Sequence, residues 1–346
     1  MARVDVVVPC YNYGRYLDAC VHSVLSQAGV DVSVIIVDDA STDNTPDLCR
    51  KLSEDPRVSV IRHETNRGHI ATYNDGLDQV TAEYVVLLSA DDLLAPGALS
   101  RATGLMDEHP SVGFVYGHPV TFRGETPPSP RDRRPGRKIW SGADWVGLMC
   151  RTGQNFIYCP EVVMRTRVQR QIGSYRKELP HSGDMEMWLR AAMVSDVGRI
   201  TGVDQAYYRL HPQSMQHTIY AGLLRDLYGR RAAFESALLA PPAPVEGAEH
   251  LLEVAKKALA RAALKAVLES FRCGNKPGQP PEDFIAFAVE TFPRITESRL
   301  WRLANDRRSP SAHPLLTRIE SVRIDLRDRI QWQIWRRDGV QYPGLI

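Results

Sequence analysis

The sequence predicts an α/β domain whose sheet is buried between helices, followed by an α-helical C-terminal region. Three observations carry that expectation. Short apolar runs rich in valine and isoleucine alternate with stretches of helical periodicity through the N-terminal part of the chain, the rhythm of parallel β-α-β units. Two of those runs, Val32 to Val37 and Val85 to Leu88, end abruptly in paired acids, Asp38-Asp39 and Asp91-Asp92. From residue 219 onward, long Ala-, Leu- and Arg-rich segments take over, broken only at Ala240-Pro241-Pro242-Ala243-Pro244 and at 274–281.

In chain order, Asp5-Val6-Val7-Val8-Pro9 is a β-branched run stopped by proline, a first buried strand. After the turn Tyr11-Asn12-Tyr13-Gly14, the residues Leu17, Cys20, Val21, Val24 and Leu25 fall at helical spacing. Val32-Ser33-Val34-Ile35-Ile36-Val37 is a second strand, and Thr45-Pro46-Asp47 opens the next helix with a cap residue, a proline and an early acid. Val58 to Ile61 reads as a short strand, and Ile70, Tyr73, Asn74 and Leu77 as one helix face. Val85-Val86-Leu87-Leu88 reads as a central strand covered on both faces. Its end must deliver Asp91 and Asp92 to the carboxyl edge, where open α/β sheets bind ligands. The bland alternative is that Asp92 caps a helix opened by Pro96.

This architecture is Rossmann-like, yet no GxGxxG follows the first strand, which argues against dinucleotide binding. Residues 119–138 carry five prolines and a cluster of Arg123, Arg131, Arg133, Arg134, Arg137 and Lys138, and read as a mobile loop, either a lid over an anionic partner or a solvated excursion. Phe156 to Met164 reads as a strand interrupted by Pro160, Asp184 to Val194 as a helix, and Gln205 to Leu210 as a last strand. Near the C-terminus Leu315, Ile319, Val322, Leu326, Ile330 and Ile334 form a stripe at spacings of three and four. Such a stripe can pack on its own domain, on another helix or on a second subunit as a homodimer.

With 346 residues, 43% of them apolar and a net charge of +2, the chain has ordinary globular composition, and nothing in that charge supports nucleic-acid binding as its main function. Cys10, Cys20, Cys49, Cys150, Cys159 and Cys273 form no CxxC pair, and the apolar run after Met1 is too short for a secretory leader. Reduced thiols and no stretch of membrane-spanning length give the expectation of a soluble, cytoplasmic protein without a transmembrane segment.

Two adjacent carboxylates repel one another and invite a divalent cation, and hard oxygen ligands suit Mg²⁺ or Mn²⁺. In their order and spacing, Pro9-Cys10-Tyr11-Asn12, Val37-Asp38-Asp39-Ala40-Ser41-Thr42-Asp43, Asn66-Arg67-Gly68 and Ser89-Ala90-Asp91-Asp92 resemble the signature of the family 2 glycosyltransferases, inverting enzymes of the GT-A fold. That resemblance implies a GT-A nucleotide-sugar domain with a mixed central sheet over residues 1–218 and a helical region over 219–346 that serves acceptor binding or dimerisation. It also implies a nucleoside diphosphate sugar donor, a UDP-sugar first and a dTDP-sugar second. The donor would meet Pro9, Tyr11, Asn12, Asp39, Arg67 and Asp91, with Tyr11 stacking on the base and Asp39 accepting from its ring N–H.

Asp91, Asp92 and His211 would hold the metal and the diphosphate, although Ser89 stands where the family's first acid is common. His211 enters through Tyr208-Arg209-Leu210-His211, which resembles the family's Tyr-Arg-x-His strand end; Arg209 is a lesser candidate for the phosphates. The segment His181-Ser182-Gly183-Asp184-Met185-Glu186-Met187-Trp188-Leu189-Arg190 resembles the second acid motif, and places the catalytic base on Asp184, with Gly183 replacing the usual Glu. The same position at a helix N-terminus would lower the basicity of Asp184 through the helix dipole. Glu186 is expected to be structural or to touch the acceptor. Two rivals share these acids: a sugar nucleotidyltransferase, which should carry a glycine-rich phosphate loop that Pro9-Cys10-Tyr11-Asn12 is not, and a non-catalytic nucleotide-binding scaffold. The acceptor, whether small molecule, peptide or saccharide, is left open by the sequence.

Overall fold

The computed structural model describes residues 1–131, 134–215, 222–239, 246–272 and 279–306, together with 326, 329–330, 333–335 and 337–339. The chain divides into two compact units, Met1–Trp145 with Ile157–Ser214, and Val146–Phe156 with Met215–Ile346.

The first unit opens with β1 (Ala2–Cys10), α1 (Gly14–Leu25), β2 (Val30–Asp38), α2 (Thr45–Leu52), β3 (Val58–Arg62), α3 (His69–Leu77) and β4 (Tyr84–Leu87). It continues through β5 (Leu93–Leu94), α4 (Ala98–Glu108), β6 (Val112–Tyr116), β7 (Pro119–Phe122) and β8 (Gly136–Trp140) to the first turn of α5 (Gly142–Thr152), whose residues from Val146 on belong to the second unit. After α5 come β9 (Val163–Arg165), α6 (Thr166–Ile172), α7 (Gly183–Val194), β10 (Asp196–Thr201) and β11 (Ala206–Arg209). Eight strands form one sheet in the order β3-β2-β1-β4-β9-β6-β10-β8, and three form a second in the order β5-β11-β7. β1 to β4 pair in parallel, whereas β9 runs antiparallel to both β4 and β6, so the central sheet is mixed as expected.

The core follows from the alternation of β1. Val4, Val6 and Val8 pack with Leu17, Val21 and Val24 of α1, each such burial contributing roughly 1.5–3 kcal/mol. On the other face α3 lies so close that a Cβ on Gly76 would stand 2.3 Å from a Val7 methyl. This contact fixes Asn74 and Asp75, which precede it, against the carboxyl half of the sheet. Buried Asp5 accepts the N–H groups of Thr81 and Ala82 at 2.7 and 2.8 Å, closing the path from α3 into β4.

Three expectations are corrected. Asp92 does not cap a helix: α4 begins at Ala98 behind a left-handed Gly97, and the Asp92 carboxylate turns to β11 instead. Only Val163–Arg165 of the Phe156 to Met164 stretch pairs as a strand; the residues before it form a turn in which Cys159 takes φ 97°. The proline- and arginine-rich segment contributes β7 and β8 at its two ends, and between them Arg131 is tied to Asp204, its N–H to Oδ2 at 2.8 Å. Arg133 lies outside the described residues.

The described helices of the second unit are α8 (Leu223–Leu239), α9 (Ala248–Arg272), α10 (Pro281–Thr291) and α11 (Arg299–Asp306), the last preceded by a short 3-10 turn. α9 is the centre, buried through Leu252, Ala255, Leu259, Ala263, Leu264 and Val267 and packed by α8, α10 and α11. The expected breaks at 240–244 and 274–278, His217, Cys273 and the stripe residues Leu315, Ile319 and Val322 lie outside the described residues; Leu326 is helical and exposed. Cys10, Cys20, Cys49, Cys150 and Cys159 are free thiols. Among the described residues no helix is long and apolar enough to cross a membrane.

Candidate active site

Parallel pairing of Cys10 with Asp38 puts Tyr11 and Asp39 just past the ends of neighbouring strands, at the carboxyl edge. Their two turns are sewn together. Asn12, held at φ 56°, donates its N–H to Ser41 Oγ at 2.9 Å, and its side-chain oxygen accepts from Thr42 N at 2.8 Å. Asn12 therefore shapes the pocket, as the left-handed region favours asparagine over most side chains. Tyr11 stands half exposed at this edge. Asp38 is buried and accepts from Ser41 N at 3.0 Å, holding the turn.

Asp39 is fixed by three donors. Oδ1 accepts from Arg67 N at 2.8 Å and from His63 Nδ1 at 2.7 Å, and Oδ2 accepts from Gly68 N at 2.9 Å. Burial acts to raise its carboxyl, but the donors of Arg67, His63 and Gly68 outweigh it and hold Asp39 below the ordinary value. His63 Nε2 also lies 3.0 Å from Asp75 Oδ2, and the Arg67 guanidinium pairs with the same carboxylate. Arg67 thus serves this pocket through its backbone, while its side chain is engaged by Asp75.

One strand over, Leu88 N donates to Val7 O at 2.9 Å and β4 delivers Asp91 and Asp92 to the same edge. Asp91 Oδ2 lies 2.9 Å from His211 Nε2, so the sequence pairing of Asp91 with His211 becomes a contact across 120 residues. His211 is packed edge-on by Tyr13 at 5.5 Å and tilted against Tyr16 at 5.3 Å, and its Nδ1 is buried with no hydrogen-bond partner among the described residues. Asp92 Oδ1 accepts from Arg209 N at 2.8 Å, and burial, then the neighbouring Asp91 charge, push its carboxyl well above the usual range. The Arg209 guanidinium stacks on the Tyr16 and Phe122 rings and donates to Asp91 O and Gly124 O. Among the described residues, no three His, Cys, Asp or Glu side chains form a ready-made cation site.

Asp184 sits in the first turn of α7. The dipole of that helix acts to lower its carboxyl, but burial dominates and raises it, against the lowering effect of the Tyr175 hydroxyl and Cys159 thiol that donate to it and of nearby His69. Its Oδ1 is buried and accepts no hydrogen bond among the described residues. The expected weakening of this base is therefore reversed. Glu186, wholly buried, is not an acceptor contact: it takes Arg190 Nε and Nη2 at 2.8 and 2.7 Å and Arg176 Nε at 3.0 Å. Arg190 in turn donates to the carbonyls of Ile172 and Ser174, and Asn74 clamps Tyr175 by its backbone N–H and C=O at 2.8 and 3.0 Å. Tyr175 reaches Asp184 because both of these ties hold its loop.

Sequence reasoning missed His63, Asp75, Cys159, Glu161, Tyr175 and the placement of Tyr208. Glu161 is 2% exposed, and burial pushes its carboxyl up to about 7; it accepts from Tyr158 N at 2.9 Å while its other oxygen is unpartnered. Burial first of all, then the charges of Asp92, Asp91 and Asp184, push the Tyr208 hydroxyl up, so it lies within electrostatic reach of both acid groups.

The edge thus gathers a fixed anion and an exposed aromatic on one side, two strand-end acids in the middle and a third, desolvated carboxylate, Asp184. Residues 5–167 match the family described as glycosyl transferase family 2. Through this stretch the chain resembles the family 2 glycosyltransferases. An uncharacterized glycosyltransferase of Nostoc sp. is 28% identical over 217 residues, which is 60% of this chain and 65% of that protein, so the chain spans just under two thirds of it. Among solved structures, Staphylococcus aureus TarS in complex with UDP-GlcNAc has a TM-score of 0.65 at 17% identity, covering 99% of this chain and 97% of that one. The mannosyltransferase of Pyrobaculum calidifontis in complex with GDP-Man and Mn²⁺ has a TM-score of 0.53 at 20% identity, covering 87% and 82%. These structures share the GT-A fold with the chain.

Proposed function

We propose that the protein is an inverting glycosyltransferase that moves a sugar from a UDP-sugar, or next a dTDP-sugar, to an acceptor hydroxyl, with Asp184 as general base. The observation that carries this is the state of Asp184: a carboxylate raised by burial, with Oδ1 unpaired, held by Tyr175 and Cys159. In a single displacement, the acceptor oxygen forms its bond to the anomeric carbon as the bond to the diphosphate breaks. The hydroxyl proton passes to Asp184, and the electron pair leaves on the diphosphate oxygen.

The donor base would lie at the Pro9–Asn12 turn, with Tyr11 against its face and Asp39 accepting its ring N–H. TarS with UDP-GlcNAc supports a uridine donor. Asp91 and His211, a hard carboxylate and an imidazole 2.9 Å apart, fit a divalent cation whose remaining ligands come from the diphosphate and water, and the imidazole favours Mn²⁺ over Mg²⁺. Asp92, committed to Arg209 N, would support the pair rather than complete it. The mannosyltransferase holding GDP-Man and Mn²⁺ supports a cation here. Such a cation, when bound, neutralises charge on the departing diphosphate. Reduced cysteines support a cytoplasmic location.

The test is a screen of UDP-, dTDP- and GDP-sugars that follows nucleoside diphosphate release with and without Mn²⁺. Release from a UDP- or dTDP-sugar that depends on Mn²⁺ is the expected result. No release from any donor, combined with UDP binding, would move the protein to the non-catalytic scaffold; release of pyrophosphate from a sugar phosphate and UTP would make it a nucleotidyltransferase.

A further inference from the structure

Between α5 and β9 the chain makes a turn that the donor chemistry does not use. Cys159 is held at φ 97°, in the region that non-glycine residues rarely adopt. Three ties keep it there: Val162 N donates to Cys159 O at 3.0 Å, Tyr158 N donates to the buried Glu161 carboxylate at 2.9 Å, and the Cys159 thiol reaches Leu87 O at 3.9 Å. Inward, the turn presents the Cys159 thiol to Asp184. Outward, it presents the Tyr158 ring, which is 43% exposed and, with Tyr11 of the donor-side turn, one of two exposed tyrosine rings among the described residues of this unit. That ring meets Tyr208 edge-on at 5.6 Å, and the Tyr208 hydroxyl is within electrostatic reach of Asp91, Asp92 and Asp184. A strained backbone kept by several independent contacts beside a reacting group is a functional feature before it is a structural one.

We propose that the Tyr158–Glu161 turn is an acceptor subsite: the Tyr158 ring, braced by Tyr208, takes the apolar face of a pyranose and brings one of its hydroxyls to Asp184. The acceptor is therefore a saccharide, or carries one at its accepting end, and the inference rests on the glycosyltransferase function above. An exposed aromatic face matches the C–H face of a sugar ring, while the ring hydroxyls at the rim meet the Tyr158 and Tyr208 hydroxyls and the Asp184 carboxylate. The turn's Tyr158 N–H is taken by Glu161 and its Cys159 carbonyl by Val162 N, two groups that a peptide backbone would otherwise meet. Glu161 is a positioning residue, acting through Tyr158 N.

The test is saturation-transfer NMR on the full chain with methyl β-D-glucopyranoside and N,N′-diacetylchitobiose as probes, with and without UDP and Mn²⁺. It compares wild type with Tyr158→Ala and Tyr158→Phe, and UDP affinity of each protein is read separately by calorimetry. The expected result is saturation of the axial ring protons of at least one probe in wild type and in Tyr158→Phe, reduced about five- to tenfold in Tyr158→Ala. Two outcomes overturn the subsite: no probe saturates in wild type with or without UDP, or Tyr158→Ala saturates like wild type. Loss of saccharide contact and UDP affinity together in Tyr158→Ala would make Tyr158 a structural residue and also overturn it. Failure of wild type to bind UDP while it still shows Tyr158-dependent saccharide contact would sink the donor reading and leave the subsite standing.

Discussion

Asp39 and Asp184 are two aspartates at one edge of one sheet, and their surroundings treat them in opposite ways. Asp39 receives N–H donors from Arg67, Gly68 and His63, and is held as an anion below the usual carboxylate range. Asp184 is desolvated, aided by one hydroxyl and one thiol, and is raised. The difference teaches that the number of donors decides what each carboxylate can do. One saturated with N–H donors is held as an anion suited to recognition, whereas one left short of donors is suited to take up a proton, the role proposed for Asp184.

The contrast breaks most visibly at the base. Asp184→Asn is expected to lower the acceptor-dependent kcat on the order of 10³-fold, typical of losing a general base; wild-type turnover in this variant would remove Asp184 from the chemistry. The ion cluster that carries Tyr175 comes next. Glu186→Ala leaves Arg190 and Arg176 facing an empty, buried place and is expected to cost roughly 3 kcal/mol or more in urea unfolding.

Glu161 sharpens the same comparison through pH. Its folded carboxyl lies at about 7 against an ordinary 4.5, so between those values the native state holds a proton that the unfolded chain has released. Stability is present below pH 4.5 and falls as pH rises toward 7, by on the order of 3 kcal/mol from this group. Glu161→Gln should flatten that slope in a series of unfolding curves, and an unchanged slope would assign it to other residues. On the donor side, Asp39→Asn turns an amide N–H₂ toward the N–H groups of Arg67 and Gly68 and should weaken UDP binding by about 1–2 kcal/mol in calorimetry. Tyr11→Ala, removing an exposed ring, should weaken it by about 1 kcal/mol.

What the sequence revealed and what it hid divide along the same line. The donor edge was legible because it is local: β-branched runs stop at Pro9, Asp38-Asp39 and Asp91-Asp92, and parallel pairing must bring those stops together. Asp184, too, was named from its own motif. Its basicity was misjudged, because the helix dipole is visible in the sequence and burial is not. The ties that tune it come from afar: Tyr175 is clamped by Asn74, 101 residues earlier. Cys159 and Glu161 lie in a stretch that resembled a strand and is instead a turn, with a proline that has no N–H to give a ladder. The arginine-rich segment misled in the same way, because Arg131 is settled by Asp204, 73 residues on.

The most direct test of the contrast is a ¹³C NMR titration of the Asp39 and Asp184 side-chain carboxyls, assigned by the two Asn variants. The prediction is that Asp184 titrates above the ordinary aspartate value while Asp39 stays ionised through that whole range. Coincident midpoints, or Asp39 taking up its proton first, would contradict the division of labour between recognition and catalysis at this edge.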